Sequence, residues 1–120
     1  MYSYEKIDLG DYRGNTYFLA GFVVPDPYQY DEYNPDKDAD EYGVTLVCSA
    51  ETPTSHNTEI VRLDNAHGQT PHVDNLYLPP DSREDEKIEL GDDWTYSKMR
   101  RYLLSKWRDY ADFYSYYRNR

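Results

Sequence analysis

The pattern of apolar and polar positions divides the chain into a strand-rich stretch and a helical end. Tyr4-Glu5-Lys6-Ile7-Asp8-Leu9 reads as a strand, and Arg13-Gly14-Asn15 is a turn signal leading into the nearly unbroken apolar run Thr16–Val24. A run this rich in aromatic and β-branched residues predicts a strand at the centre of a sheet or covered on both faces. Further strands are expected at Gly43–Ser49, Thr58–Asp64, His72–Leu78 and Lys87–Leu90, with Asn65–Pro71 as the turn between the Thr58 and His72 strands. After Gly91-Asp92-Asp93 the period changes from two to about 3.6. Tyr96, Met99, Leu103, Trp107, Tyr110, Tyr114 and Tyr117 then recur at spacings of three and four, with Tyr102 and Phe113 at the flanks, which predicts an amphipathic helix over about 95–118. Asp92, Asp93 or Thr95 is expected to cap its start, and Arg118 and Arg120 to complement its negative end. The expected class is α+β, a small antiparallel sheet of five or six strands covered by this C-terminal helix, in one domain over residues 1–120.

Between Pro25 and Tyr42 the chain carries seven acids and three prolines without apolar periodicity, which predicts an acidic surface loop or a partly disordered excursion at 25–42. Within it, Asp36-Lys37-Asp38-Ala39-Asp40-Glu41 has the alternating carboxylates of a calcium loop. Glu41 stands where that loop needs glycine, and Val47 where it needs a bidentate glutamate, so the run is expected to be a solvated charge run.

Composition adds two facts to this outline. Fifteen tyrosines offer bulky burial with a polar tip, which suits a core built from few aliphatics. Twenty-three acids against thirteen bases give a net charge of −10, with 15 Asp, 8 Glu and only 5 Lys, the signature expected of a halophilic protein. No stretch approaches the roughly 20 apolar residues of a membrane span, and Met1-Tyr2-Ser3-Tyr4-Glu5-Lys6 lacks the regions of a signal peptide, so a cytoplasmic location without membrane contact is expected. The single cysteine, Cys48, excludes an internal disulfide and is expected as a buried thiol.

The charge is unevenly spread. Residues 98–120 hold Lys98, Arg100, Arg101, Lys106, Arg108, Arg118 and Arg120 against only Asp109 and Asp112, a net of +5, and the rest of the chain carries −15. Two readings follow. Arg100, Arg101, Lys106 and Arg108 can meet the phosphates of a nucleic acid, with neighbouring tyrosines stacking on bases, or the basic helix can neutralise the protein's own acidic sheet.

The chemistry-bearing candidates lie in Arg62-Leu63-Asp64-Asn65-Ala66-His67-Gly68-Gln69-Thr70-Pro71-His72-Val73-Asp74, where folding at the turn can bring His67, His72, Asp64 and Asp74 to one rim of the sheet. Such a group can do acid and base work near neutral pH, bind a divalent metal, or serve as hydrogen-bonding turn residues. The spacing of five between His67 and His72 matches no compact metal signature, so no metal is assigned. His56, within Thr52-Pro53-Thr54-Ser55-His56-Asn57, reads as a loop residue.

The stretch Glu59-Ile60-Val61-Arg62-Leu63-Asp64-Asn65-Ala66-His67, followed by Pro71-His72-Val73-Asp74, resembles the TumE-type toxins of prokaryotic toxin-antitoxin systems. In these an Arg-(apolar)-Asp-Asn-Ala stretch precedes a histidine-rich Pro-His segment. The similarity covers residues 43–78, and Arg62, Asp64, Asn65, His67 and His72 carry over by position. The chain departs from the pattern in having fewer histidines and a longer acidic insertion, while the tail Trp94 to Tyr117 looks like an uncharacterised haloarchaeal family. The resemblance implies growth inhibition through RNA, relieved by an antitoxin-like protein, with no cofactor. In the implied metal-independent ribonuclease, one of His67 and His72 takes a proton from a ribose 2′-hydroxyl and the other protonates the leaving oxygen. Arg62 stabilises the transition state and Asp64 completes the site. The competing expectation is a non-catalytic module that uses the tyrosine-rich helix to dimerise or to bind a partner protein.

Overall fold

The computed structural model describes residues 1–50, 55–82 and 88–118. Arg120, Lys87 and the Thr52–Thr54 part of the loop before His56 lie outside the described residues. Six antiparallel strands, β1 (Tyr2–Tyr12), β2 (Asn15–Val24), β3 (Glu41–Cys48), β4 (Thr58–Asp64), β5 (His72–Asp74) and β6 (Ile88–Glu89), pair in the order in which they occur in the chain. A four-residue helix α1 (Pro35–Asp38) precedes β3, and the long helix α2 (Tyr96–Arg118) lies on one face of the sheet. This is the α+β architecture expected from the sequence.

The core forms where the inward stripe of α2 meets one face of the sheet. Met99 and Leu103 are fully enclosed, and Tyr96, Trp107, Tyr110 and Ala111 join them against Tyr17 and Leu19 of β2, Val44 and Leu46 of β3, Val61 and Leu63 of β4 and Val73 of β5. Strand residues two apart share a face, so the sheet register selects these side chains and turns their neighbours the other way. Cys48, the single cysteine, is buried in this core.

Three expectations are corrected. The central strand is β3, buried continuously from Gly43 to Cys48, whereas β2 buries alternate residues and is one strand from the edge. Its aromatic content had another use: Phe18 faces away from α2, and the Lys6 ammonium lies 4.6 Å from its ring centre. β5 stops at Asp74 because turn hydrogen bonds from Leu76 N to the Asp74 carbonyl and from Leu78 N to the Asn75 carbonyl replace ladder pairing. Pro79 and Pro80, without N–H groups, follow.

The acidic segment 25–42 is ordered, with a 3₁₀ turn at Pro27–Gln29 followed by α1. Tyr33 packs against Tyr4 and Tyr30, and its hydroxyl donates to the Pro25 carbonyl at 3.2 Å. Asp36, expected in a solvated charge run, accepts from Ser97 N at the start of α2 at 3.0 Å, while Thr95 Oγ1 caps the same turn by accepting from Lys98 N at 3.2 Å. Helix N-termini present unpaired N–H groups and a positive dipole, which is why a carboxylate 61 residues away is held there.

Candidate functional site

β4 and β5 place the site. Leu63 and Val73 are opposed and both enter the core under α2. The flanking pairs Arg62 with Asp74 and Asp64 with His72 therefore face the other way, onto the side of the sheet without the long helix. Gly43 lies opposite Asp64 on β3, and a Cβ there would stand 2.6 Å from the Asp64 Cβ, so glycine gives the carboxylate its room.

On that side Asp64, His72 and Asp74 converge. Asp64 and His72 are only 5% and 3% exposed, and Asp74 is half-buried. His72 Nδ1 lies 2.9 Å from the Thr70 carbonyl oxygen, while Nε2 lies 3.2 Å from Asp74 Oδ2 and 3.5 Å from Asp64 Oδ1. A carbonyl oxygen only accepts, so Nδ1 carries the proton and Nε2 is the atom turned toward the two carboxylates. Asp64 Oδ1 also accepts from Ala66 N at 3.0 Å, which fixes the carboxylate at the strand end.

His67 is placed differently. Gln69 N donates to the Ala66 carbonyl across a tight turn whose two central residues, His67 and Gly68, both have positive φ, 61° and 72°. Histidine is among the residues that tolerate this region, and glycine is indifferent to it. The His67 backbone N–H donates to the Glu41 carboxylate, and its side chain is exposed. Asn65 serves the backbone: its Oδ1 accepts from Tyr42 N at 2.8 Å. Arg62 turns along β4, with Nη2 donating to Glu59 at 2.6 Å and Nε 3.4 Å from Thr45 Oγ1. Of the four residues expected at the rim, the structure gathers Asp64, His72 and Asp74 and leaves His67 on the turn. His56 is exposed and lines a cleft of about 110 Å³ that also contains Ser49, Tyr114 and Arg118.

The basic residues of α2 divide as well. Arg100 Nε donates to Glu5 at 3.0 Å, Lys98 pairs with Asp93 at 3.1 Å, and Arg108 lies over the rings of Trp107 and Tyr12. Arg101 and Lys106 are exposed and make no ion pair among the described residues. At about 100° per residue, Arg101 and Arg108 project from one side of the helix and Lys106 from nearly the opposite side, so the four candidates do not form one stripe.

Sequence reasoning missed a second polar cluster, which lies on the helix side of the sheet. Tyr96 Oη donates to Glu5 Oε1 at 2.5 Å beside Arg100. Gly21 makes this contact possible, since a Cβ there would sit 1.9 Å from Tyr96 Oη. Burial first, then the hydrogen bond to Glu5, raises the Tyr96 phenol well above its ordinary value. The sequence signal was available: Gly21 is the one glycine inside the apolar run Thr16–Val24, where it marks a close approach.

The chain matches no family model, no curated protein and no solved structure.

Proposed function

We propose that the chain is a TumE-like toxin-antitoxin component that acts on RNA, in the cytoplasm of a cell with high internal salt. The observation that supports this most is the convergence of Asp64, His72 and Asp74 on the face of the sheet opposite α2, within the segment that carries the toxin resemblance. An equal division of acid and base roles between two histidines needs a free nitrogen on each, and both nitrogens of His72 are engaged. In this reading the exposed imidazole of His67 takes the proton of the ribose 2′-hydroxyl as that oxygen bonds to phosphorus. The P–O5′ bond breaks and water protonates the leaving oxygen, while the His72 cluster holds the strand ends that position His67. The test is RNA cleavage by purified protein in molar salt. Wild type should cleave, and His67→Ala should lower the rate by about 100-fold or more. A wild type without cleavage, or an unchanged rate in His67→Ala, overturns the proposal.

A second reading, a dimerising or partner-binding module without catalysis, is favoured by the aromatic end of α2. Phe113 and Tyr116 are 46% and 60% exposed, and the Tyr77 ring packs at a tilt against Phe113 and Tyr117, with ring centres 5.5 and 5.7 Å away. Apolar rings grouped at a surface are a feature of protein contact sites. Light scattering across salt concentrations tests the dimer, and a strict monomer at every concentration removes it.

A further inference from the structure

We propose that Asp64, His72 and Asp74 form a binding site for one divalent transition-metal ion. With Nδ1 donating to the Thr70 carbonyl, the imidazole turns Nε2, the nitrogen left to coordinate a metal, toward two carboxylates. A divalent cation takes the place of the Nε2 proton shared with Asp74 and is held by all three residues at once. Among the described residues, neither Asp64 nor Asp74 has a lysine or arginine partner within ion-pair distance, although Asp64 is almost wholly buried. The His72 imidazole is shared between the two carboxylates, so at least one of their negative charges is left without a countercharge from the chain.

The spacing fits a metal ion. Bonds of about 2.1 Å at tetrahedral angles set neighbouring ligand atoms about 3.4 Å apart. Nε2 stands 3.5 Å from Asp64 Oδ1 and 3.2 Å from Asp74 Oδ2, and one ligand atom from each residue lies within 4.8 Å of the others. The supporting contacts are those of a metal-bound histidine, whose second nitrogen donates to a backbone carbonyl while a neighbouring ligand is itself hydrogen-bonded. Here Thr70 O and Ala66 N supply them. One imidazole with two carboxylates suits zinc, iron, cobalt or manganese better than calcium or magnesium, which prefer oxygen alone. Two negative charges match one divalent cation, and three protein ligands leave a coordination position for water or a phosphate oxygen.

The site rests on ligand geometry and is read without RNA, so failure of either proposal leaves the other standing. Protein stripped by dialysis against a chelator would be titrated with Zn²⁺ in a calorimeter, and Mn²⁺ used to broaden amide resonances. The expected result is one-to-one Zn²⁺ binding, with Mn²⁺ broadening centred on Val73 and its neighbours. Asp74→Asn keeps the shape of the most exposed ligand and should bind Zn²⁺ about 100-fold more weakly or worse. His67→Ala should bind as wild type does. The proposal is overturned if Zn²⁺ does not bind one-to-one, if folded Asp74→Asn binds like wild type, or if broadening centres on His56, His67 or residues 31–41.

Discussion

The Glu5–Tyr96–Arg100 cluster on the helix side and the Asp64–His72–Asp74 cluster on the other side are each built across the sheet beside a glycine, Gly21 in one case and Gly43 in the other. In the first, one carboxylate accepts from a phenol and a guanidinium, so donors and charge are matched within the protein. In the second, two carboxylates and a backbone carbonyl surround a single imidazole, so two negative charges face at most one positive charge. A buried polar group is stable when its partners are present, so the first cluster is matched by the chain itself, while the second carries excess negative charge that the proposed cation would offset.

Four measurements press on that contrast. The largest effect is expected at Gly21→Ala, where the new methyl overlaps Tyr96 Oη and should cost about 3 kcal/mol by chemical denaturation. Combining it with Tyr96→Phe removes the overlapping atom and should recover part of the loss; a double variant whose costs simply add would break the account of Gly21. Next, Zn²⁺ at about 100 times its wild-type dissociation constant should stabilise wild type by about 2.7 kcal/mol and Asp74→Asn by about 0.4 kcal/mol or less. A shift of equal size in both proteins would erase the difference between the clusters.

Tyr96→Phe alone should cost about 1 kcal/mol. It also carries a pH signature. The folded-state value of Tyr96 is raised above the ordinary 10.0, so this stability is fully present below about pH 10 and declines as pH rises, because the unfolded chain releases the proton first. Burial raises Tyr110 in the same direction. Urea midpoints between about pH 8 and about pH 11 should fall less steeply in Tyr96→Phe than in wild type. The smallest effect belongs to Arg100→Gln, where both partners are partly exposed, and about 0.5 kcal/mol is expected from the same denaturation measurement.

These two clusters also mark what could be read from the chain. Period-two and period-3.6 patterning located the strands and α2 because burial selects those positions directly, and it set Asp64, His72 and Asp74 near one rim. The location of His67 depended on backbone dihedrals at Ala66–Gln69, which side-chain patterning does not encode. The spacing between His67 and His72 likewise carries no information on the cluster, since the neighbours of His72 are a cross-strand aspartate and one two residues along its own strand. The pairing of Asp36 with the start of α2 was illegible for another reason: it joins segments 61 residues apart through tertiary packing. The apolar content of Thr16–Val24 overstates how central β2 is, because Phe18 gives its outer side to Lys6 and not to a second covering layer.

The strand order has a consequence for how the chain assembles. Each strand pairs with its predecessor, so the sheet can grow by successive closures of neighbouring segments as the polypeptide leaves the ribosome. The helix that covers Tyr17, Leu19, Val44, Leu46 and Leu63 follows all six strands. Until α2 emerges, the growing sheet holds an apolar surface open to other chains. Synthesis interrupted before residue 111 would leave a sticky intermediate, and a crowded cell has reason to hold such a nascent chain with a chaperone.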